Sequence, residues 1–285
     1  MKKRALLISL VIIALFIIFL NSCMQFRISD EVVRREFNET GISVGIHYFQ
    51  FENSQIRYIK TGRDRQNLII FIHGAPGSSQ DYYHFLMDST MVSICSMVAI
   101  DRPGYGYSDF GKSEKSIKRQ AEMLKKLINE ELSSFGNIVL IGHSFGGPIA
   151  GIMAYQNDTL IDKVIMLAPA IDPDREIIFW ISYLAKWPPF RWLTPRVWTV
   201  ASDEKFSHKA ALSEIEGMWA EISTNIVHVH GTKDILVPYE NVWFTEKNIP
   251  EEYLEIKTIK GANHFLPWTH PELIKKLIIE SLNQD

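Results

Sequence analysis

The stretch Ile138–Gly147 constrains this chain more than any other part of its sequence. It reads Ile-Val-Leu-Ile-Gly-His-Ser-Phe-Gly-Gly, and a helix-like run continues from it to about Tyr155. A short apolar run followed by a G-x-S-x-G turn and a helix indicates a tight turn that lifts the Ser144 hydroxyl above a sheet. We therefore predict that Ser144 is a nucleophile. The backbone N–H of Phe145 is predicted to bind the oxyanion that forms when Ser144 attacks a carbonyl.

Apolar runs and helical patterns alternate from about residue 46 to the end of the chain. This alternation is typical of an α/β fold, in which helices cover both faces of a mostly parallel sheet. The predicted strands are Ile46–Phe51, Gln55–Lys60, Leu68–Ile72, Met97–Ile100, Ile138–Ile141, Lys163–Leu167, Ile226–His230 and Leu254–Ile259. The main predicted helices are Asp81–Ser89, Ser113–Leu132, the run after Ser144, Tyr239–Asn248 and Pro271–Leu282.

One long segment, residues 172–223, breaks the alternation. It has no clear strand and many aromatic residues, and its prolines at positions 188, 189 and 195 are expected to divide it into short helices. We interpret it as a helical lid inserted after the sixth strand of a core formed by residues 46–171 and 224–285. The alternative is a set of surface helices that pack their apolar faces on one another. A lid rich in aromatic residues favours a substrate that is partly apolar.

A serine nucleophile needs a base, and the base needs a carboxylate to orient it. With this type of turn, the chain order is serine, acid, histidine. Asp234 and His264 follow the last two predicted strands, at the sheet edge where Ser144 also lies. Asp172 is the competing acid, and His270 is better explained as a residue at the entry to the last helix. We predict a catalytic triad of Ser144, Asp234 and His264.

A glycine- and proline-rich loop, His73-Gly74-Ala75-Pro76-Gly77, ends the third predicted strand. Such a loop leaves backbone N–H groups unpaired, and we predict that the amide of Ala75 is the second oxyanion donor, beside Phe145. The alternative is an ordinary strand-to-helix turn. His73 is expected to be structural. Residues 101–108 are interpreted as a rigid turn beneath the site, in which Asp101 and Arg102 pair.

Together these segments resemble the α/β-hydrolase fold superfamily, over about residue 46 to the C-terminus. The resemblance implies the branch with a serine nucleophile. Members with a carboxylate nucleophile open epoxides or displace halides, and Ser144 argues against both activities. The loop at 73–77 is similar to the His-Gly-Gly-Pro-Gly loop of proline iminopeptidases, although those enzymes usually carry Trp at the position of Phe145. The residues that carry the resemblance are His73–Gly77, Asp101–Ser108, Gly142–Gly147, Gly231–Asp234 and Gly261–Phe265.

The expected function is therefore that of a serine hydrolase, with a carboxylic ester of a small, partly apolar molecule as the first choice of substrate. One alternative is an aminopeptidase or amidase like the proline iminopeptidases, which would need an acidic group in the lid to bind an amine. The other is a ligand-binding homologue without catalytic activity. The candidate lid carboxylates are Asp174, Glu176, Asp203, Glu204, Glu214, Glu216 and Glu221.

Composition and pattern exclude some partners. The net charge is −3 and no basic stripe is present, so nucleic-acid binding is not expected. The sequence has neither an H-E-x-x-H motif nor paired cysteines, and we expect no metal or other cofactor. His228 and His230 share one face of a strand and are interpreted as buried neighbours. The oligomeric state stays open.

The N-terminus resembles a bacterial lipoprotein signal peptide. Residues 1–4 are basic after the initial Met, residues 5–20 are apolar except for Ser9, and Leu20-Asn21-Ser22-Cys23 follows. The resemblance implies cleavage before Cys23 and lipid attachment to it, and residues 23–45 would form a tether. An uncleaved signal anchor is the alternative. Both interpretations predict a membrane-anchored protein of the cell envelope, with its domain outside the cytoplasm and Cys95 as its one remaining, buried thiol.

Overall fold

The computed structural model of this protein describes residues 24–63, 66–155 and 160–282, together with residues 4 and 11. The lipidation site predicted at Cys23 lies outside these residues, as does the signal peptide predicted at residues 1–22, apart from those two positions. Both stay predictions. Among the described residues, no helix combines the length and the hydrophobicity needed to cross a membrane.

Eight strands form one sheet in the order β1-β2-β4-β3-β5-β6-β7-β8. The β1–β2 and β2–β4 pairs are antiparallel, and every other neighbouring pair is parallel. The predicted mostly parallel sheet is thereby confirmed. The strands are β1 (Gly45–Phe51), β2 (Ser54–Thr61), β3 (Asn67–Ile72), β4 (Ser96–Ile100), β5 (Asn137–His143), β6 (Lys163–Leu167), β7 (Asn225–Gly231) and β8 (Leu254–Ile259).

Helices cover both faces of the sheet, because the central strands are apolar on both sides. In β3, Leu68 and Ile70 belong to one buried cluster and Ile69 and Phe71 to the other. The first cluster packs α4, α5 and α8 against the sheet, and the second packs α1, α2, α3 and α11. The helices are α1 (Asp30–Glu39), α2 (Tyr83–Leu86), α3 (Ser89–Ile94), α4 (Ile117–Leu127), α5 (Gly146–Ile152), α6 (Trp180–Lys186), α7 (Pro188–Arg191), α8 (Arg196–Ile215), α9 (Asn241–Asn248), α10 (Leu266–Thr269) and α11 (Pro271–Leu282).

Two predicted helices differ most from the structure. The helix predicted at Ser113–Leu132 begins at Ile117, because the Ser116 side chain caps it by accepting a hydrogen bond from the Arg119 amide. Its last turn, Ile128–Leu132, is a π-helix. The helix predicted at Asp81–Ser89 is replaced by a 3₁₀ turn at Ser79–Tyr82, followed by α2 and α3.

Part of the segment expected to be a tether packs on the domain. Helix α1 buries Val33 and Phe37 completely in the second cluster. Asp30 at the start of α1 forms an ion pair of 2.8 Å with the buried Arg57 of β2. Residues 30–39 are therefore a structural helix, since an amphipathic face and a buried cation hold them in place.

The insertion, residues 172–223, lies between β6 and β7 and contains α6, α7 and α8. The expectation that it consists only of short helices is wrong for α8, which spans 20 residues. No proline follows Pro195 in α8, and Leu212 and Ile215 anchor its end in the first buried cluster. The second half of the insertion is therefore part of the core.

Candidate active site

Ser144 lies in the tight turn between β5 and α5. Its φ of +53° is a left-handed conformation that is strained for a residue with a side chain. Its backbone N–H donates to the Leu167 carbonyl at 2.9 Å, and its own carbonyl accepts from the amides of Gly147 at 2.9 Å and Ala170 at 3.2 Å. These bonds hold the strained turn, so the side chain projects at the carboxyl end of β5.

The two glycines of the motif are required by close backbone approach. A Cβ added to Gly142 would collide with the carbonyl of Gly146, and a Cβ added to Gly146 would collide with the carbonyl of Ile72. The turn at Ser144 can therefore form only with glycine at both positions.

Asp234 and His264 form a hydrogen-bonded pair in the loops that follow β7 and β8. The Nδ1 atom of His264 lies 2.7 Å from Oδ2 of Asp234, and the Asp234 side chain is fully buried. Its other oxygen accepts from the amides of Leu236 and Val237, both at 2.9 Å. Since a carboxylate only accepts hydrogen bonds, Nδ1 of His264 carries a proton and Nε2 is left as the basic atom of a neutral ring.

The electrostatics of the pair keep Asp234 ionised. Burial by itself raises the pKa of Asp234, but hydrogen bonds from His230 and His264 outweigh it and hold the pKa below its usual range. His230 contributes through its Nε2 atom, which lies 3.4 Å from Oδ2 of Asp234. An anion fixed at Nδ1 holds the His264 ring in the tautomer in which Nε2 carries no proton.

His143 connects this pair to the serine. It directly precedes Ser144, and its Nε2 atom donates to the backbone carbonyl of His264 at 2.9 Å. The two imidazole rings lie 4.8 Å apart between centroids. Burial, helped by the nearby His264, lowers the pKa of His143 to about 3, so its ring is neutral at ordinary pH. The hydrogen bonds of the described residues do not include one between Ser144 Oγ and the His264 ring.

The loop at residues 73–77 faces the serine. A Cβ added to Gly74 would lie 3.0 Å from the Cβ of Ser144. Within the described part of the chain, no hydrogen bond uses the backbone N–H of Ala75 or of Phe145. The Ala75–Pro76 peptide bond is cis. Two unpaired amides, one on each side of the serine, are what an oxyanion would need.

Arg102 holds this loop in place by donating hydrogen bonds to two of its carbonyl groups. Its Nε donates to the His73 carbonyl at 2.8 Å, and its terminal nitrogen donates to the Gly74 carbonyl at 3.0 Å. Its backbone N–H donates to Nε2 of His73 at 2.9 Å, while Nδ1 of His73 donates to the Gly74 carbonyl at 2.7 Å. Burial and the Arg102 charge lower the pKa of His73 well below its usual value. His73 is therefore a neutral structural residue.

The predicted pair between Asp101 and Arg102 is wrong. Arg102 instead pairs with the buried carboxylate of Glu204 in α8, through two contacts of 2.8 and 3.0 Å. Asp101 pairs with Arg57 at 3.1 Å and accepts from two backbone amides nearby. Arg102 and Glu204 are far apart in the sequence, and no local pattern marks them as partners.

The competing residues are engaged in local contacts. His270 lies next to Thr269, with 2.8 Å between its Nδ1 and the Thr269 hydroxyl. Asp172 accepts from the amide of Asp174 at 2.8 Å, as turn residues do. His228 and His230 contact each other at 2.9 Å inside the sheet. In the residues that the structure describes, no group of three His, Cys, Asp or Glu side chains is arranged to hold a metal ion.

Comparisons with known proteins agree with this architecture. A family model described as the α/β hydrolase fold matches residues 67–200. Mouse epoxide hydrolase 4 is 33% identical over 130 residues, which are 44% of this chain and 35% of the mouse protein. The chain spans less than half the length of the curated relatives that it matches.

Solved structures show the same fold over longer ranges. A bacterial membrane phospholipase A superposes over all of both chains, with a TM-score of 0.64 and 16% identity. A monoacylglycerol lipase from Paleococcus ferrophilus has a TM-score of 0.63 and 18% identity over 80% of this chain and 98% of its own. The sheet order, the turn at Ser144 and these matches show that the chain has the α/β-hydrolase fold.

Proposed function

We propose that this protein is a serine hydrolase in which Ser144 is the nucleophile, His264 its general base and Asp234 the carboxylate that orients the base. The observation that carries the proposal is the 2.7 Å hydrogen bond between Asp234 and His264, beside a strained turn that presents Ser144. Nucleophile–base hydrogen bonds often tighten only when substrate is bound, so the contact between Ser144 Oγ and His264 Nε2 is expected in the complex.

The proposed reaction has two halves. His264 Nε2 takes the proton from Ser144 Oγ as that oxygen attacks the substrate carbonyl, and the amides of Phe145 and Ala75 hold the oxyanion. The protonated His264 then gives its proton to the leaving group, and an acyl group remains on Ser144. In the second half, His264 activates a water molecule, which releases the acid and restores the serine. Asp234 stays ionised throughout.

We propose a carboxylic ester with an apolar acyl part as the substrate class. The fold neighbours include proteins named as a phospholipase A and a monoacylglycerol lipase, and both names refer to lipids. The mouse relative is named as an epoxide hydrolase. In this chain the position of the nucleophile carries a hydroxyl at Ser144, which suits acyl transfer rather than attack by a carboxylate.

The carboxylates of the insertion favour an ester over a peptide N-terminus. Glu204 is paired with Arg102, and Glu176 contacts both Lys205 at 2.5 Å and His208 at 3.0 Å. Asp174 and Asp203 each pair with a basic side chain of the same insertion, and Glu214, Glu216 and Glu221 are exposed. To bind any one of the four paired carboxylates, an amine would first have to displace the basic side chain that is paired with it.

The proposal is tested with the full chain and p-nitrophenyl butyrate. Ser144→Ala is expected to lower kcat by at least about 10⁴-fold, because no other group can form the acyl intermediate. Ser133→Ala, at an exposed serine after α4, is the matched control and should retain full activity. Undiminished hydrolysis by folded Ser144→Ala would refute the assignment, and aminoacyl amides assayed in parallel separate esterase from aminopeptidase activity.

We also propose that Cys23 carries a lipid that anchors the domain outside the cytoplasm. The support is the sequence pattern of residues 1–23. Cys23→Ser should prevent lipid attachment and block the cleavage that precedes it, so the mature protein would show a larger mass. If the wild-type protein keeps residues 1–22 and no lipid, the signal-anchor alternative holds.

A further inference from the structure

Helices α6 and α7 carry an exposed aromatic surface, which we call the aromatic face. It consists of Phe179, Trp180, Tyr183, Trp187, Phe190 and Trp192. Trp192 is 77% exposed and Trp180 is 73% exposed. Exposed apolar patches of this kind mark interaction sites on soluble domains, because water around them is unfavourable. We propose that the aromatic face docks into the interface of a lipid bilayer.

The face is fixed on the domain by contacts with α8. The Tyr183 ring meets the Phe206 ring edge-on at 5.0 Å, and the Lys186 ammonium lies 4.2 Å over the same Phe206 ring. Arg191 makes two contacts of 2.9 and 2.8 Å with Asp203. These contacts attach α6 and α7 to α8, and the six side chains of the aromatic face nevertheless remain at least 40% exposed.

The chemistry of the face suits a bilayer interface. Trp and Tyr rings prefer the headgroup level, where an apolar body meets a polar edge. Residues 177–198 contain Lys186, Arg191 and Arg196 and no acidic residue. Basic side chains beside aromatic ones strengthen binding to membranes that contain anionic lipids.

The N-terminal segment contacts the start of α8, at a residue six positions after Trp192 of the aromatic face. The Phe26 ring contacts the ring of Trp198, in the first turn of α8, at 6.3 Å. The guanidinium of Arg27 lies 3.8 Å over Tyr107 and 4.7 Å over Phe110. Phe26 lies three positions after Cys23, a span of about 10 Å. An anchor in the apolar residues 5–20, or a lipid on Cys23, would therefore hold this end of α8 at the membrane surface.

The docked orientation brings the candidate site near the bilayer. The His208 ring of α8 stacks on Phe145 at 4.4 Å, and Glu204 of the same helix holds Arg102. The aromatic face is thus joined to the turn at Ser144 through one helix. If the proposed function holds, lipid esters in the bilayer are the substrates that this orientation favours. Docking itself can be tested without any assay of catalysis.

The test uses tryptophan fluorescence of the full chain in vesicles. The protein is reconstituted in mixed phosphatidylcholine and phosphatidylglycerol, with or without bromine on the acyl chains, since bromine quenches only rings that enter the bilayer. All seven tryptophans lie at or after position 180, so residues 1–179 add no signal. The variant W180F/W192F is compared with wild type and with W243F, a control at a 56% exposed tryptophan on α9.

Docking predicts that brominated lipid quenches wild type and W243F strongly. In W180F/W192F, the quenched signal should fall roughly twofold or more, because the inserted rings are missing. Equal quenching of all three proteins, or no quenching of wild type, overturns the proposal. If W180F/W192F lost self-association in detergent and its quenching did not change, the aromatic face would instead be assigned to contact between copies of this chain. The single variants W180F and W192F replace the double variant if circular dichroism shows that it is unfolded.

Discussion

Asp234 shows how one side chain sets the chemistry of the proposed base. Its carboxylate accepts from His264 Nδ1 and from two backbone amides, so it is rigid as well as ionised. Burial alone would raise the pKa of Asp234. Hydrogen bonds from His230 and His264 outweigh burial and hold the pKa below its usual range. The residue therefore stays charged over the whole pH range in which the protein would work.

Replacing Asp234 with Asn tests this role. The Asn amide can donate to His264 Nδ1, which would move the ring proton to Nε2 and remove the base. We expect kcat for ester hydrolysis to fall by about 10³–10⁴-fold, while the fold is retained. The fall in kcat is measured in a steady-state assay with p-nitrophenyl butyrate. Near-ultraviolet circular dichroism is the folding control. A loss below about tenfold would show that Asp234 does not orient the base.

His143 is expected to matter through position alone. Its neutral ring donates to the backbone carbonyl of His264 at 2.9 Å, and this bond fixes the loop that carries the base. His143→Ala should lower kcat by about tenfold and leave KM nearly unchanged, since misplaced groups slow the chemical step. His84→Ala, which also removes a histidine bonded to a backbone carbonyl, is the control. Equal effects of the two substitutions would assign His143 to stability only.

At the scale of elements, the pair between Arg102 and Glu204 joins the loop at 73–77 to α8. Both side chains are buried, and among the described residues the hydrogen bonds of the Arg102 guanidinium all end on oxygens of the loop, Gln120 or Glu204. Removing one partner of such a pair leaves an unpaired buried charge. The loop that would hold the oxyanion and the helix above it are therefore coupled.

Glu204→Gln should lower the free energy of unfolding by about 3 kcal/mol, because Arg102 would lose its counter-charge. Glu214→Gln changes an exposed residue of the same helix, and its effect should stay within about 0.5 kcal/mol. Urea denaturation of both variants measures the difference. Similar midpoints for the two would contradict the coupling between loop and helix.

The 3₁₀ turn after the loop gives a prediction about pH. Burial raises the pKa of Asp81 to about 7, and the neighbouring Asp101 adds to the shift. Because the folded pKa lies above the unfolded one, folding favours the protonated carboxyl, and this stability is lost as pH rises from about 4 to 7. Asp81→Asn should therefore stabilise the protein at pH 8 and have little effect at pH 4. The gain at pH 8 is limited to roughly 2 kcal/mol, because the side chain is partly exposed and solvent screens its charge. Thermal unfolding of wild type and Asp81→Asn at both pH values tests whether the substitution stabilises the protein.

At the scale of the whole molecule, the sequence predicted what depends on local pattern. The strands were found within two residues because central strands such as β3 are apolar on both faces. Ser144, Asp234 and His264 were proposed because each follows a predicted strand, and the last two are hydrogen-bonded in the structure.

Features that depend on contacts between residues far apart in the chain could not be predicted from the sequence. Glu204 pairs with Arg102 across 102 residues, and nothing near either residue indicates it. The ends of α8 and the packing of α1 are set by burial of residues such as Ile215 and Phe37 against the sheet. His143 occupied a variable position of the motif, so its link to His264 became visible only in three dimensions.

The proposed mechanism requires an activated serine, and covalent labelling detects such a serine. The full chain is treated with a fluorophosphonate, and the labelled peptide is identified by mass spectrometry in wild type, Asp234→Asn and His264→Ala. We predict a single phosphonylated residue, Ser144, with strong labelling in wild type, slow labelling in Asp234→Asn and almost none in His264→Ala. Labelling of a different residue, or labelling of Ser144 at the same rate in all three proteins, would contradict the proposed mechanism.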